Sequence, residues 1–340
     1  YLGQAAGSGA GGGDFYFMLG TSKYNSGDQS GAISDLEKAV SAGVSDYGTF
    51  KILGDVYYKN QEYTIAIEVY NKAAALKSDD HVLFNNRGKA KALSGNTSGA
   101  LSDYNKALQI KPDYGRALLN RGEASYKAGD CNTAVQDLEQ AKEASGMTKP
   151  IVKMLAMSYY QLGKKDQAKT YLDRAIKDGS SSGDIHYYRG LISFEDKDYR
   201  GTVKALENAK KYGAEASNIS EMLGASYFEL GDYQKTLDNL SVTAGSADAL
   251  AKIGVSHYEL KSYDEAVKFL NQAVAKGASD TRVLYNLGNA QFRQKDYSGA
   301  IASYYKAIGA GASDEVIYNN RGKAKLLGKD LDGALSDFNE

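Results

Sequence analysis

The chain has 340 residues, with 41 Lys+Arg against 42 Asp+Glu and a formal net charge of −1. That balance argues against a protein that holds nucleic acid by neutralising phosphates, which needs a basic face. One cysteine, Cys131, excludes an intrachain disulfide framework or a cysteine zinc site, and no apolar run approaches the ~20 residues that cross a bilayer, so membrane insertion is not expected.

Only 2 prolines, and 27 tyrosines with no tryptophan, suit long helices whose surfaces are half packed and half wet. A chain that begins at Tyr1 rather than Met reads as a processed or trimmed form, from which any targeting signal has gone. Residues 1–12, YLGQAAGSGAGG, align with 303–314, SYYKAIGAGASD, so that Leu2 matches Tyr304, Ala5 matches Ala307 and Gly9 matches Gly311. This segment reads either as the tail of a second helix from a preceding unit or as a Gly-rich linker. The GAGGG at 9–13 follows no strand, so it is a hinge or cap and not a phosphate cradle.

From Gly13 to Glu340 the chain repeats itself. The heptapeptide NNRGKAK stands at Asn85–Lys91 and again at Asn319–Lys325. Its glycine belongs to a series: Gly20, Gly54, Gly88, Gly122, Ala156, Gly190, Gly224, Gly254, Gly288 and Gly322. The spacing is 34 throughout, except 30 between Gly224 and Gly254. Twelve residues after each landmark stands Ala or Thr (Ala32 to Ala334), sixteen after stands Leu, Tyr or Phe (Leu36 to Phe338), and nineteen after stands Ala or Thr (Ala39 to Ala307). Small residues at fixed places let helices approach closely, and the large apolar ones fill between them. Each unit therefore predicts two helices. The turn between them carries SGD at 26–28, AGD at 128–130 or LGD at 230–232, and the unit closes on a Gly followed by Ser or Asp at 43–46, 277–280 and 311–314. The shortened unit has lost one turn from its second helix, 236–247, and carries Thr236 and Thr243 where Ala is usual, which predicts a local break in regularity over 236–250.

This helix-turn-helix pattern, nearly complete in YNLGNAQFRQKDYSGAIASYYKAI at 285–308, resembles the tetratricopeptide repeat family. The resemblance covers ten consecutive units over 13–340, the last truncated. It implies an all-α, right-handed superhelical solenoid with a concave groove lined mostly by the first helices, and a protein or peptide as partner. There are departures: Val152, His186 and Ser220 replace the usual aromatic, and the closing proline appears only at Pro112.

The chemistry-bearing residues give no enzyme. His81, His186 and His257 lie in three units without the i,i+4 partner of a helical metal site, and no hydrolase, P-loop, dinucleotide or EF-hand spacing occurs. No cofactor is expected. Arg precedes the landmark at Arg87, Arg121, Arg189 and Arg321, and three of those units carry Asp fifteen after it, at Asp103, Asp137 and Asp337. A row of anion-binding arginines is one reading. Co-occurrence within units favours the other, an Arg–Asp pair between the two helices of a unit. NNRGKAK is then mainly architecture, with only its Asn and Lys residues free to face a ligand.

Residues three before, one after and four after the landmark share one helix face. The last of these is aromatic in eight units, among them Tyr58, Tyr126, Tyr160, Phe194, Phe228, Tyr258 and Phe292. Such a row either packs the next repeat or forms a ladder for a peptide, and the two are compatible. The stripe is polar early, apolar in the middle at Met157, Tyr160, Tyr187, Leu191 and Phe194, and polar again at Asn289. The middle is the expected energetic centre of a groove. The family's clamp for a C-terminal carboxylate, carried over by resemblance, falls on Lys51, Asn86 and Arg116, but Asp55 and Asn120 replace its other two members, and an Asp there repels a carboxylate.

The preferred function is a non-catalytic scaffold. The alternative is a filament subunit that stacks head to tail through residues 1–20 and 315–340. A Tyr/Gly/Ser-rich, Cys-poor, bacterial-looking repeat chain leans towards export, a context in which Asn96, Asn218 and Asn239 would be glycosylation acceptors.

Overall fold

The structure is a computed structural model that describes residues 12–240 and 245–340. The alignment drawn for residues 1–11 therefore lies outside the described residues. All regular structure described is helical, and the helices pair. They fall into two compact units, one ending at Ala175 and one beginning at Ile176. The first holds α1 (Gly13–Ser26), α2 (Gln29–Ser41), α3 (Tyr47–Lys59), α4 (Tyr63–Leu76), α5 (His81–Leu93), α6 (Thr97–Ile110), α7 (Gly115–Lys127), α8 (Cys131–Ser145), α9 (Lys149–Gln161) and most of α10 (Lys165–Lys177). The second holds α11 (Gly183–Glu195), α12 (Tyr199–Lys211), α13 (Ile219–Glu229), α14 (Tyr233–Leu240), α15 (Ala247–Glu259), α16 (Tyr263–Ala275), α17 (Thr281–Arg293), α18 (Tyr297–Gly309), α19 (Glu315–Leu327) and α20 (Leu331–Asn339).

The landmark glycine is where the two helices of a repeat come closest. A Cβ placed on Gly54, Gly88 or Gly288 would lie 2.6–2.8 Å from the ring of Tyr70, Tyr104 or Tyr304, and one on Gly122 would lie 2.8 Å from Cγ of Leu138. These partners are the residues sixteen further on, and all four are at most 2 % exposed. Packing at this separation leaves no room for a side chain on the facing helix. The Ala or Thr twelve after the landmark is equally buried, at Ala32, Ala66, Ala100, Thr202, Thr236 and Ala266 among others. Thr202 and Thr236 fit there because each hydroxyl donates to the carbonyl of the residue four back, Asp198 or Asp232, at 2.9 and 3.0 Å. Thr236 keeps its own contact, and Leu240 still closes on Gly224. Residues 241–244, including Thr243, lie outside the described residues.

The turn inside each repeat has one geometry. The residue seven after the landmark has positive φ in all ten repeats: Gly27, Gln61, Gly95, Gly129, Gly163, Lys197, Gly231, Lys261, Lys295 and Lys329. Half of these are not glycine, so the SGD and AGD signals mark only part of the set. Next comes the N-cap of the second helix. Asp28, Asn96, Asp130, Asp198, Asp296 and Asp330 each accept a bond from the amide three residues on.

Within each unit the second helix of a repeat packs on the first helix of the next, and successive first helices also touch. A polar code accompanies this stacking. The residue seventeen after the landmark is Glu where the next repeat offers a tyrosine three after its own landmark: Tyr57 donates to Glu37, Tyr159 to Glu139 at 2.8 Å, and Tyr227 to Glu207. In two repeats where it is Asn, the next repeat offers Arg: Arg87 donates to Asn71 at 2.9 Å and Arg121 to Asn105 at 2.7 Å; Asn271 faces a repeat with Leu287 at that place.

Candidate functional site: the first-helix face

Three of the four arginines before the landmark point across their own repeat, while Arg189 donates to Ser193 on its own helix at 2.5 Å. Arg87 forks onto Asp103 (2.8 and 2.5 Å), Arg121 onto Asp137 (2.7 and 2.7 Å), and Arg321 onto Asp337 (2.8 and 2.6 Å). The three carboxylates are at most 3 % exposed, so each needs such a partner. Bonds from Arg321 and Lys325 hold Asp337 below the usual carboxylate range, against burial, which pushes it up. Sequence reasoning missed the lysine three after the landmark, which joins the pair: Lys91 reaches Asp103 at 2.9 Å and Lys325 reaches Asp337 at 3.0 Å. In the first repeat, where no arginine stands, Lys23 reaches Asp35 at 2.6 Å and Lys38 reaches it at 3.4 Å. The shared spacing of Lys23, Lys91 and Lys325 was the available signal.

The heptapeptide is thus more fully engaged than its sequence suggests. Asn86 donates to Asp55 at 3.0 Å, Asn320 to Asn289 at 3.3 Å, and the buried Asn85 accepts from Asn120 at 2.8 Å. Lys89 and Lys323 line cavities, together with Asn85 and Asn86 in one and Asn320 in the other.

A cavity of about 360 Å³ in the first unit gathers Asp55, Tyr58, Asn86, Lys89, Arg116 and Asn120. Asn86 and Arg116 meet here, and Lys51 lies beside Asp55. Two of the three clamp residues are taken, however: Asp55 accepts from Tyr70 at 2.6 Å and from Asn86, and Lys51 pairs with it at 3.6 Å. Asp55 is itself the carboxylate that Tyr70, Asn86 and Lys51 meet. Its counterpart in the second unit is Asn289, which accepts from Tyr304 at 2.7 Å and from Asn320. There a cavity of about 310 Å³ is lined by Tyr258, Tyr285, Asn289, Phe292, Arg293 and Lys323.

The aromatic row is partly spent on local packing. Tyr58, Phe194, Phe228, Tyr258 and Phe292 each meet the tyrosine that opens their own second helix, with ring centroids 5.7–6.4 Å apart. This contact is within the repeat, and Phe228 packs as well with Leu250 and Val255 of the next one. Met157 (4 %) and Phe228 (7 %) are buried and offer little surface; Met157 accepts the hydroxyl of Tyr126 at 3.0 Å. Tyr58, Tyr126, Tyr160, Tyr187, Leu191, Phe194, Tyr258 and Phe292 are half-buried.

The largest of these cavities, about 480 Å³, lies in the second unit between α11, α13 and α15. Leu191 and Phe194 form one wall, and Met222, Ala225, Leu240 and Ala249 complete the apolar lining. Tyr187 stands beside it, donating to Asn218 at 2.9 Å. Ala225, one after its landmark, is the smallest residue at that place, where other repeats carry Thr, Asp, Lys, Glu, Met, Leu, Val or Asn, and it leaves space in the lining.

The histidines are packing groups. His81 meets Tyr114, His186 stacks on Tyr212, and His257 stacks on Phe269 at 5.4 Å. Burial holds His257 below the usual histidine range. Among the described residues no cluster of His, Cys, Asp or Glu could hold a metal ion, and no helix is long and apolar enough to cross a membrane.

Helix pairs repeated at a 34-residue period, closing on a glycine in all but one repeat, where Ala156 stands, define a helical-repeat protein. Two family profiles, described as tetratricopeptide repeat and TPR repeat, match residues 153–201 and 252–315 and residues 54–95 and 88–129. The chain belongs to the tetratricopeptide repeat family. Similar solved structures include the MamA protein (21% identity over 48% of this chain and 90% of that one, TM-score 0.46). They also include pilF of Pseudomonas aeruginosa (20%, 62% and 95%, 0.48) and a tetratricopeptide repeat protein from Parabacteroides merdae (16%, 92% and 98%, 0.44). No curated protein matches the chain.

Proposed function

We propose that the chain is a non-catalytic scaffold that binds a protein segment on its first-helix face, with Leu191 and Phe194 at the energetic centre. The observation that carries this is the cavity of about 480 Å³ with its apolar floor. An open apolar site with polar groups at its edge is the form in which helical surfaces take up an anchoring side chain. Peptides selected by display on the intact protein are expected to lose at least tenfold in affinity on Ala225→Phe, which fills the cavity, with melting temperature and helix content unchanged. Selected peptides that all bind Ala225→Phe as well as wild type would overturn the reading.

A second reading, end-to-end stacking into a filament, is favoured by a separate observation. Leu331 (65 %), Leu335 (62 %) and Phe338 (46 %) are exposed on α20, whereas Tyr304, the counterpart of Phe338, is 1 % exposed. A further repeat or a second copy would cover this face equally. Concentration-dependent association in sedimentation, abolished by Leu331→Glu with Leu335→Glu, supports stacking; a monomer at every concentration sinks it.

A further inference from the structure

The floor of the cavity between α11, α13 and α15 is apolar, but its rim is acidic. Glu195, Glu221, Glu229 and Asp248 line it, and the one cation in the lining, Lys252, is bound to Asp248. Glu221 and Glu229 are exposed and have no hydrogen-bond or ion-pair partner among the described residues. They stand eight residues apart on α13, on the order of 12 Å along the axis, so the apolar floor lies between two negative edges. The 310 Å³ cavity of the same unit has the opposite character. It presents Arg293 and Lys323 and no carboxylate. The acidic rim is therefore a property of this place, not a general feature of the surface.

Resting on the scaffold reading above, we infer that the cavity takes a peptide segment in which one large apolar side chain is flanked on both sides by Lys or Arg. The apolar side chain fills the space beside Phe194, Met222 and Ala225. The flanking cations meet Glu221 and Glu229, so that uncompensated carboxylates gain partners when the site is covered. A segment flanked by acidic residues brings like charges together and is excluded. Because the rim is exposed, the charge contribution weakens with salt, while the apolar contact does not.

The test uses three fluorescein-labelled peptides on the intact chain: Lys-Lys-Phe-Lys-Lys, Glu-Glu-Phe-Glu-Glu and Lys-Lys-Gly-Lys-Lys. Only the first is expected to bind. Glu221→Lys with Glu229→Lys should weaken it roughly tenfold and flatten its salt dependence, and Ala225→Phe should abolish it. Equal or tighter binding of the acidic peptide, still sensitive to Ala225→Phe, overturns the charge inference and leaves the cavity reading standing. Binding of the basic peptide that survives Ala225→Phe overturns the cavity as its site. Equal binding of the glycine peptide shows charge attraction without an anchor and overturns the inference, as does the failure of all three to bind.

Discussion

Asp103 and Asp137 are equivalent carboxylates in different company. Asp103 has both Arg87 and Lys91, whereas the residue in the place of Lys91 beside Asp137 is Ser125, leaving Arg121 as its cation. Removing a buried charge's partner costs about 3–5 kcal/mol when nothing replaces it. Arg121→Ala should fall in that range, and Arg87→Ala should cost clearly less, because Lys91 remains at 2.9 Å. Urea denaturation of the two variants checks the order; equal losses would show that the lysine does not compensate. Asp55 supports a second prediction at this scale. Replacing it with Asn leaves the acceptor for Tyr70 and Asn86 but removes the charge that engages Lys51. Asp55→Asn should bind a peptide with a free C-terminal carboxylate, and not its amidated form, while wild type binds neither. Titration of both peptides decides it.

At the scale of the helix pair, the left-handed residue of the turn separates strain from chemistry. Lys295 has φ 66°, where a side chain costs about 1–2 kcal/mol relative to glycine. Part of that gain is lost to the greater freedom of an unfolded glycine. Lys295→Gly should therefore raise stability by roughly 0.5–1 kcal/mol, and thermal melting reads it. The close approach behaves in the opposite way. A Cβ on Gly288 meets the ring of Tyr304, while one on Gly122 meets the flexible end of Leu138. Gly288→Ala should cost about 1–3 kcal/mol and Gly122→Ala less. The chain already carries Ala156 at this place, opposite Leu172, which is 0 % exposed. If both substitutions cost the same, the rigidity of the ring is not what sets the penalty.

For the whole molecule, the titrating groups frame a pH window. The carboxyls of Asp46, Asp80, Asp130 and Asp337 are held below their ordinary 3.8 by backbone or side-chain hydrogen bonds that outweigh burial where it opposes them. The unfolded chain takes up those protons first, so their stabilisation is present above about pH 4 and is lost as pH falls through the folded values. His257 is lowered from 6.5, chiefly by burial, so protonation begins to favour the unfolded chain below that pH. Burial pushes Tyr57, Tyr70, Tyr104, Tyr159, Tyr227 and Tyr304 above their ordinary 10.0, with help in several from a facing carboxylate. Unfolding releases those protons, so stability falls as pH rises above 10. Melting temperature should be flat between pH 7 and 9.5 and decline on both sides. In an ultraviolet titration these tyrosines should ionise only as the helices unfold; smooth ionisation near pH 10 with helix content intact would contradict this.

The period, the helix pairs and the Arg87–Asp103 type of spacing are legible in the sequence because they repeat. A position that must be small, such as Gly288, or apolar, such as Tyr304, declares itself by recurring at the same offset. Repetition also shows which residues are equivalent, but not what each one touches. Asp55 and Asn289 hold equivalent places, yet one engages Lys51, four before it on the same helix, while Tyr285 stands four before the other. Lys295 and Gly95 share one backbone conformation although only glycine signals it, since the packing of both helices imposes the turn. The cavity beside Phe194 was visible only as a change from polar to apolar residues along a stripe. Its volume is a difference between what Ala225 leaves empty and what three separate helices enclose, and no residue by itself encodes a space between helices.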